Sequence, residues 1–295
     1  MAHRLHVNRP LAFAAVVSIT SVALWVGARP AHAWWSGGHK LIAAAAVKML
    51  PDDVPEFFRN ATEELGEMAI EPDEWKSQTT PRLRAAEQPE HFLDYEHFGG
   101  KPLPRHRYEA LAFYASQKID LARGGTLPYA LEEGFERLQL AFRQVRIYPE
   151  SAGAKHRAIM YAGWLAHYCG DLAMPLHSTV NFDGKPGANG AIIQKGIHAR
   201  LDSFPEKHGF TVNMLSELQA AERRGSVWTL IEQTLKESHS HVDECFAFDA
   251  AGEFEKESEK SREFVVGRTR LAAKLAADLW YTAWVKSDPG KATIR

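Results

Sequence analysis

The 295-residue chain is long enough for one large domain with a substantial hydrophobic core. Its formal net charge of −2 excludes a protein that attracts nucleic acid through an overall basic surface. The sequence contains no internal repeat, low-complexity stretch or long Pro/Gly linker that would divide it into several domains.

The first 33 residues have the pattern of a secretory signal peptide. Arg4 and Arg9 precede an apolar run from Leu11 to Ala28, and the segment ends in Ala31-His32-Ala33. A charged start, an apolar middle and small residues before a cleavage site predict removal of residues 1–33 ahead of Trp34. The apolar run approaches the lower limit for a membrane span, so an uncleaved anchor is the alternative.

Cleavage would leave residues 34–295 as a single domain, either secreted or periplasmic. The removed segment carries three arginines and no acidic residue, so the remainder has 32 Lys and Arg against 37 Asp and Glu, a formal charge of −5. Such a chain binds a polyanion only through local positive charge, for which bound metal cations are the obvious source.

The rest of the chain is predicted to be helical almost throughout. Residues 38–50 are rich in helix formers and end at Pro51. Further helices are predicted at 107–123, 130–147, 154–173, 190–203, 225–245 and about 253–285. No alternating apolar and polar segment of strand length is present, so we predict an all-α, single-domain helical bundle.

The segment from His167 to His177 has the highest density of potential metal ligands. His167 and Asp171 are four residues apart, so a helix places both side chains on one face. A proline then ends the helix and allows His177 to turn back toward the same cavity. A second pair with the same spacing, His198 and Asp202, follows a glycine-rich loop. Two such pairs favour zinc ligation over a surface ion pair.

Further candidate ligands lie upstream in two short stretches. Asp73 offers a carboxylate near Lys76, and His91 offers an imidazole near Asp94. Considered alone, Asp73 has the character of a helix cap and His91 that of a core histidine. Their spacing in the sequence does not bring these stretches together, so the tertiary fold must do so.

Nine positions together resemble a known superfamily, the zinc-dependent phospholipases C and single-strand nucleases, including the S1/P1-type nucleases. In chain order they are Trp34, His39, Asp73, His91, His167, Asp171, His177, His198 and Asp202. The resemblance runs from Trp34 to about Asp202. It implies an all-helical fold with three zinc ions at the bottom of a cleft.

The resemblance also implies which residues hold each ion. One zinc ion would be held by Asp73, His91, His167 and Asp171. Asp171 would bridge to a second ion held by His39 and by the free amine and carbonyl of Trp34. The third ion would be held by His177, His198 and Asp202. We expect Gly37 and Gly38 to bend the backbone tightly, so that His39 returns to the ion bound by Trp34.

The implied reaction is hydrolysis of a phosphate ester by a zinc-bound hydroxide, with Asp73 at the reacting metal ions. Lys76 is a candidate cation for a phosphoryl oxygen, and Asp94 is a candidate for orienting the nucleophile or supporting His91. The alternatives for these two residues are a solvated lysine and a surface ion pair.

Within this superfamily, three details resemble the nucleases more than the phospholipases C: the short spacing from Trp34 to His39, the aspartate at position 202, and the stretch from His91 to Asp94. The expected substrate is single-stranded DNA or RNA, or a nucleotide, with 3′-nucleotidase activity as a further option. The residue after Asp202 is Ser203, where nucleases of this type often have asparagine. We expect a monomer without a protein partner.

Two other classes of function remain open. One is a phospholipase C that acts on phospholipid head groups. The other is a non-catalytic binding protein in which zinc ions only stabilise the fold, which closed four-ligand zinc sites would favour.

A nuclease of this kind needs aromatic faces that stack on unpaired bases. The candidates near the ligand positions are Trp35, Trp75, Tyr95, Phe98 and Phe182, of which one or two would suffice. Cys169 and Cys245 either form one disulfide or are two buried thiols. His239 and His241 lie outside the ligand set, with a separate metal site there only a remote alternative.

Overall fold

The computed structural model describes residues 34–215 and 218–291. The predicted signal peptide, residues 1–33, lies outside the described residues, as does the alternative of an uncleaved anchor. Across the two described ranges, no helix is long and apolar enough to cross a membrane.

Helices form almost all of the regular structure. The α-helices are α1 (Ser36–Lys48), α2 (Glu56–Arg59), α3 (Thr62–Met68), α4 (Glu71–Glu74), α5 (Pro81–Glu87), α6 (Arg107–Gln117), α7 (Leu121–Gly124), α8 (Leu127–Ile147), α9 (Ala152–Ala173), α10 (Ile197–Asp202), α11 (Phe204–Lys207), α12 (Val227–Ser240), α13 (Val242–Ala250) and α14 (Glu259–Lys286). Short 3₁₀ turns lie at Gln88–His91, Tyr95–Phe98, Pro175–Ser178, Val212–Met214 and Pro289–Lys291. The predicted all-α class is confirmed.

Helix α9 lies at the centre of the bundle, where α8, α14, α3 and α1 pack against it. It begins at the Ser151 cap, whose hydroxyl accepts a hydrogen bond from the Ala154 amide. Small residues let its neighbours approach closely. A Cβ atom on Gly163 would lie 2.2 Å from Cβ of Met68 in α3. The central position of α9 buries its last two turns completely on every side, and these turns carry His167 and Asp171.

Aromatic side chains join α9 to the outer helices. Trp280 of α14 is fully buried and donates its indole N–H to the carbonyl of Ala162 in α9 at 3.0 Å. The ring of Phe58 lies edge-on to Trp280 and to Phe142 of α8, with centroid distances of 5.4 and 5.0 Å. These contacts hold α9 in place and so position the side chains at its C-terminal end.

Most predicted helices are found, and the differences have local causes. Helix α6 ends where Lys118 adopts a left-handed conformation, and Asp120 caps the separate helix α7, so the prediction of one helix at 107–123 is wrong. The predicted helix at 225–245 is two helices that meet at His241. Helix α14 begins later than predicted, because Ser258 forms a capping box with Ser261.

The predicted helix at 190–203 is wrong in its first half. Residues 192–193 form strand β2, which pairs antiparallel with β1 (Lys185–Pro186). The β-branched pair Ile192 and Ile193 favours a strand, and Gly190 and Gly196 have left-handed backbone angles that a helix does not accommodate. Only 197–202, which carries His198 and Asp202, is helical.

The two alternatives for the cysteines were one disulfide or two buried thiols, and the structure shows the second. Cys169 and Cys245 are both buried free thiols. Burial raises the pKa of each thiol, which disfavours the reactive thiolate. Neither thiol is therefore suited to act as a nucleophile.

Candidate metal centre

Helix α9 places His167 and Asp171 on one face, as their spacing predicts. Both side chains are fully buried, and Nε2 of His167 lies 3.3 Å from Oδ2 of Asp171. Nδ1 of His167 donates to the carbonyl of Ala69 at 2.8 Å. This hydrogen bond fixes the tautomer, so that the lone pair of Nε2 faces the cavity, as is usual for a metal-binding imidazole.

A first cluster joins these residues to His39 of α1. The ring of His39 is fully buried and stacks on that of His167 with a centroid distance of 3.9 Å. Nε2 of His39 lies 3.9 Å from Oδ1 of Asp171. Potential ligand atoms of the three residues lie within 4.8 Å of one another.

A second cluster forms on the other oxygen of Asp171. Nδ1 of His91 lies 3.0 Å from Oδ2 of Asp171 and 3.0 Å from Nε2 of His167. Asp73 completes the cluster, with Oδ1 at 3.9 Å from Nδ1 of His91 and 3.8 Å from Nε2 of His167. The fold thus brings together two stretches whose sequence positions did not connect them.

A third cluster contains His177, His198 and Asp202. Nε2 of His177 lies 2.9 Å from Nε2 of His198, and Nδ1 of His198 lies 3.0 Å from Oδ2 of Asp202. The other ring nitrogen of His177 donates to the carbonyl of His91 at 2.6 Å. That bond ties the third cluster to the second, and the 3₁₀ turn after α9 turns His177 back as predicted.

The N-terminal segment reaches the same place. Trp34 is fully buried and donates its indole N–H to the carbonyl of Gly170 at 2.9 Å, one residue before Asp171. The next amide, that of Trp35, donates to the carbonyl of Asp202 at 3.3 Å. The Trp34 indole therefore holds this segment against the end of α9, and the Trp35 amide holds it against Asp202 of the third cluster.

The role expected for the two glycines is wrong. Gly37 and Gly38 lie in the first turn of α1 and do not form a tight bend. His39 instead reaches the cavity through ordinary helical geometry. The role of Gly38 is to leave space, because a Cβ atom there would lie 2.9 Å from Cβ of Trp34.

The chemistry of these clusters fits zinc. Imidazole nitrogens and carboxylate oxygens are common zinc ligands, and His167 and His177 each have the outer nitrogen held by a backbone carbonyl. Oδ1 of Asp171 and Oδ1 of Asp202 are buried without a hydrogen-bond donor in the described structure. Buried carboxylates require a compensating cation.

The electrostatics at His91 and Asp171 also favour cation binding. Burial and the nearby Lys76 lower the pKa of His91 to about 3, which keeps this imidazole neutral. Burial alone would raise the pKa of Asp171, but His167 and His177 hold it well below its usual range. A neutral imidazole and an ionised carboxylate are the protonation states that bind a metal ion.

Lys76 and Asp94, the two further catalytic candidates, are both buried and are not surface groups. Nζ of Lys76 lies 2.5 Å from Oδ1 of Asp73. The pKa of Asp94 is raised to about 7, mainly by burial and to a smaller extent by repulsion from Glu96. Nε2 of His97 lies 3.8 Å from Oδ2 of Asp94.

The five candidate aromatic residues differ in accessibility. Phe98 is buried and is therefore not available for stacking on a base. Phe182 is 52% exposed, and its ring lies 5.9 Å from that of His198 in an edge-on arrangement. Trp35, Trp75 and Tyr95 are partly buried. Phe182 is thus an exposed aromatic ring in contact range of the third cluster.

Supporting residues were not recognisable from the sequence. Arg107 of α6 binds Glu90, the neighbour of His91, and also Glu133 of α8. Thr126 donates to the same Glu90 carboxylate at 2.9 Å. These long-range contacts hold the 3₁₀ turn that carries His91, and no local spacing signals them.

A similar support lies behind the third cluster. Nδ1 of His239 donates to the carbonyl of Ser178 at 2.9 Å, next to His177. His241 is paired with Glu237 and Glu244 on the protein surface. The remote alternative of a metal site formed by His239 and His241 gains no support, because neither belongs to a metal-competent cluster of the described residues.

A comparison with known protein families finds a match for this chain. The model of a family described as S1/P1 Nuclease matches residues 34–203, which include all nine expected ligand positions. A search of curated proteins finds no significant match.

The chain is similar to two solved structures. Alpha-toxin of Clostridium perfringens from an avian strain is 15% identical with a TM-score of 0.45, over 84% of this chain and 62% of that chain. Alpha toxin from Clostridium absonum is 16% identical with a TM-score of 0.46, over 85% of this chain and 64% of that chain. This chain thus spans less than two thirds of the length of these toxins.

Proposed function

Because this chain belongs to the S1/P1 nuclease family, we propose that it is a secreted zinc-dependent phosphodiesterase that cleaves single-stranded DNA or RNA. The observation that carries the proposal is the meeting of three buried His/Asp clusters around Asp171, all within the segment that matches the family. A surface ion pair would not bury so many ligand-type atoms with their lone pairs facing one another.

We assign the ligands as the clusters group them. Asp73, His91, His167 and Asp171 would hold one ion, and His177, His198 and Asp202 a second. His39 and Asp171 would hold a third together with the amine and carbonyl of Trp34. Zinc ions at such sites lower the pKa of bound water to about 7 and neutralise charge on phosphoryl oxygens.

The N-terminal ligand requires cleavage before Trp34, because only a free amine binds zinc. Trp34 has a φ of 37°, a value that a bulky side chain rarely adopts. A chain that begins at Trp34 has no preceding peptide and so no such torsion. The buried indole, anchored to Gly170, would hold the new terminus beside Asp171.

Two protein groups act on the phosphate and the nucleophile. Lys76 lies against Asp73, so its ammonium is placed to bind a phosphoryl oxygen that approaches the second cluster. Asp94, held in a desolvated position, accepts a proton or orients the attacking water. Phe182 offers its exposed face to the base next to the cleaved bond.

The direct test is an activity assay with the protein that starts at Trp34, loaded with zinc. Single-stranded DNA, RNA and phosphatidylcholine are offered in parallel, with His167→Ala as the inactive control. Chelator-sensitive cleavage of nucleic acid alone would support the proposal. Release of a lipid head group would instead indicate a phospholipase C, and inactivity on all three substrates by a protein with bound zinc would indicate a binding protein.

A further inference from the structure

Arg84 contacts Lys76, a buried residue that lies against the ligand candidate Asp73. Arg84 lies in α5, and its side chain is half-buried. Nη1 donates to the carbonyl of Lys76 at 2.8 Å. A single residue therefore connects Arg84 to the second cluster, since Nζ of the same Lys76 lies 2.5 Å from Asp73.

The charge of Arg84 is not neutralised by the protein. Within residues 34–215 and 218–291, Arg84 forms no ion pair, and its contact with Lys76 uses only one of five N–H donors. Several other arginines of the described residues are paired with carboxylates, whereas Arg84, like Arg82, is not. Arg107 binds Glu90 and Glu133, and Arg268 binds Glu237 with both terminal nitrogens. Arg84 thus presents an available guanidinium that is linked to the second cluster through Lys76.

This environment suits a phosphate group. A guanidinium is planar, permanently charged and able to donate two parallel hydrogen bonds to phosphate oxygens. The hydrogen bond to Lys76 restricts the side chain before any ligand arrives, so less conformational entropy is lost on binding. Lys76 occupies the position closer to the metal ligands, which leaves Arg84 to meet a different phosphate from the one that is cleaved.

We propose that Arg84 binds a phosphate of the nucleic acid strand adjacent to the scissile phosphate. The inference rests on the proposed nuclease function and deepens it, because it makes substrate length a determinant of affinity. Arg84 is a binding residue in this account, while the groups at the metal centre carry the chemistry. A substrate with a single phosphate gains nothing from Arg84, whereas a longer strand does.

The experiment compares Arg84→Ala with wild type on two substrates, a decathymidylate and the dinucleotide TpT, which contains only one phosphate. Arg82→Ala is the matched control, because Arg82 belongs to the same helix, is exposed and has no ion-pair partner within the described ranges. For Arg84→Ala we expect a KM about tenfold higher on the decamer, since phosphate contacts contribute to strand affinity. The kcat on the decamer and both constants on TpT should stay unchanged.

The salt dependence of substrate affinity is a second measurement. A purely structural role of Arg84 would leave it unchanged. Loss of one phosphate contact on a single strand should reduce the slope of log affinity against log salt by about 0.7. Arg84→Gln removes the charge but keeps a polar side chain with N–H donors, whereas alanine removes both. The glutamine variant should reproduce the loss seen with alanine, while Arg84→Lys restores part of the affinity.

The outcomes separate this inference from the function on which it rests. If wild type cleaves neither substrate, the proposed nuclease function fails. If wild type cleaves both and Arg84→Gln matches Arg82→Ala in KM and salt slope, only the role of Arg84 is overturned. An equal rise in KM on both substrates, or a loss confined to melting temperature and zinc content, would also overturn it in favour of structural support.

Discussion

The Nε2 atoms of His177 and His198 lie 2.9 Å apart in a buried cavity. Nδ1 of His177 donates to the carbonyl of His91, so its Nε2 carries a lone pair. On the other ring, Nδ1 faces the carboxylate of Asp202 at 3.0 Å. Only a cation between the two rings, either a proton or a metal ion, satisfies these atoms together. This arrangement is the local reason to expect metal at the third cluster.

Gly38 should be intolerant of a side chain. In Gly38→Ala the new Cβ meets Cβ of Trp34 at 2.9 Å, so Trp34 or α1 must shift. We expect a lower melting temperature and a loss of bound zinc. The matched control is Gly37→Ala, whose Cβ meets only the flexible side chain of Glu206 at 3.1 Å. A Gly38→Ala protein with the stability and zinc content of the control would contradict the packing of Trp34.

Arg107 should stabilise the turn that carries His91. Arg107→Met leaves the carboxylates of Glu90 and Glu133 without their main partner. We expect a loss of about 2 kcal/mol in the free energy of unfolding, measured by urea denaturation of the zinc-free protein. Arg105→Met, which breaks a more exposed pair with Glu132, should cost under about 1 kcal/mol. Equal losses would show that the Arg107 network has no special role.

Asp94 should make the zinc-free protein sensitive to alkaline pH. Its pKa is raised to about 7 by burial and by Glu96, with His97 also nearby. A carboxyl group whose pKa is raised on folding destabilises the fold as pH rises from its unfolded pKa through the folded value, by at most about 4 kcal/mol. Asp94→Asn should therefore melt higher than wild type at pH 8.5 and equally at pH 4.

Melting curves of both zinc-free proteins across this pH range provide the measurement. A constant difference between the two at every pH would mean that Asp94 does not titrate near neutrality. With zinc added, Asp94→Asn should lose most of its phosphodiesterase activity, because the carboxylate is then missing from the site.

Phe182 should contribute to substrate affinity and little to stability. Its ring is 52% exposed, so Phe182→Ala removes little buried surface. Loss of base stacking should weaken binding of single-stranded DNA by about 1–3 kcal/mol, seen as a higher KM. Tyr108→Ala, at an aromatic residue that is 82% exposed at the start of α6, is the control and should leave KM unchanged. Identical KM values for the two variants would remove Phe182 from the binding site.

The sequence was most informative where spacing is local. The two pairs His167/Asp171 and His198/Asp202 follow from helix periodicity, and both lie on helices in the structure. The resemblance to a family supplied the order of the remaining ligands. The helix predicted at 190–203 was wrong in its first half because isolated apolar residues near glycines do not distinguish a strand from a helix.

Long-range contacts could not be predicted in this way. Ala69 orients His167 through a carbonyl 98 positions away, and Trp34 binds a carbonyl 136 positions away. We expected Gly38 to form a tight bend, whereas it provides the space that Trp34 occupies. Arg84 belongs to no sequence motif that indicated its contact with Lys76. Such contacts depend on how helices pack, and packing is specified by the whole core and not by a single segment.

The most direct test of the metal centre is to count zinc in the protein that starts at Trp34 and to follow its cleavage of single-stranded DNA during removal and return of the metal. We predict three zinc ions per chain, loss of cleavage on chelation and recovery when zinc is restored, with His177→Ala binding fewer ions. Full cleavage by metal-free protein, or a purified chain that binds no zinc, would contradict the assignment of these clusters.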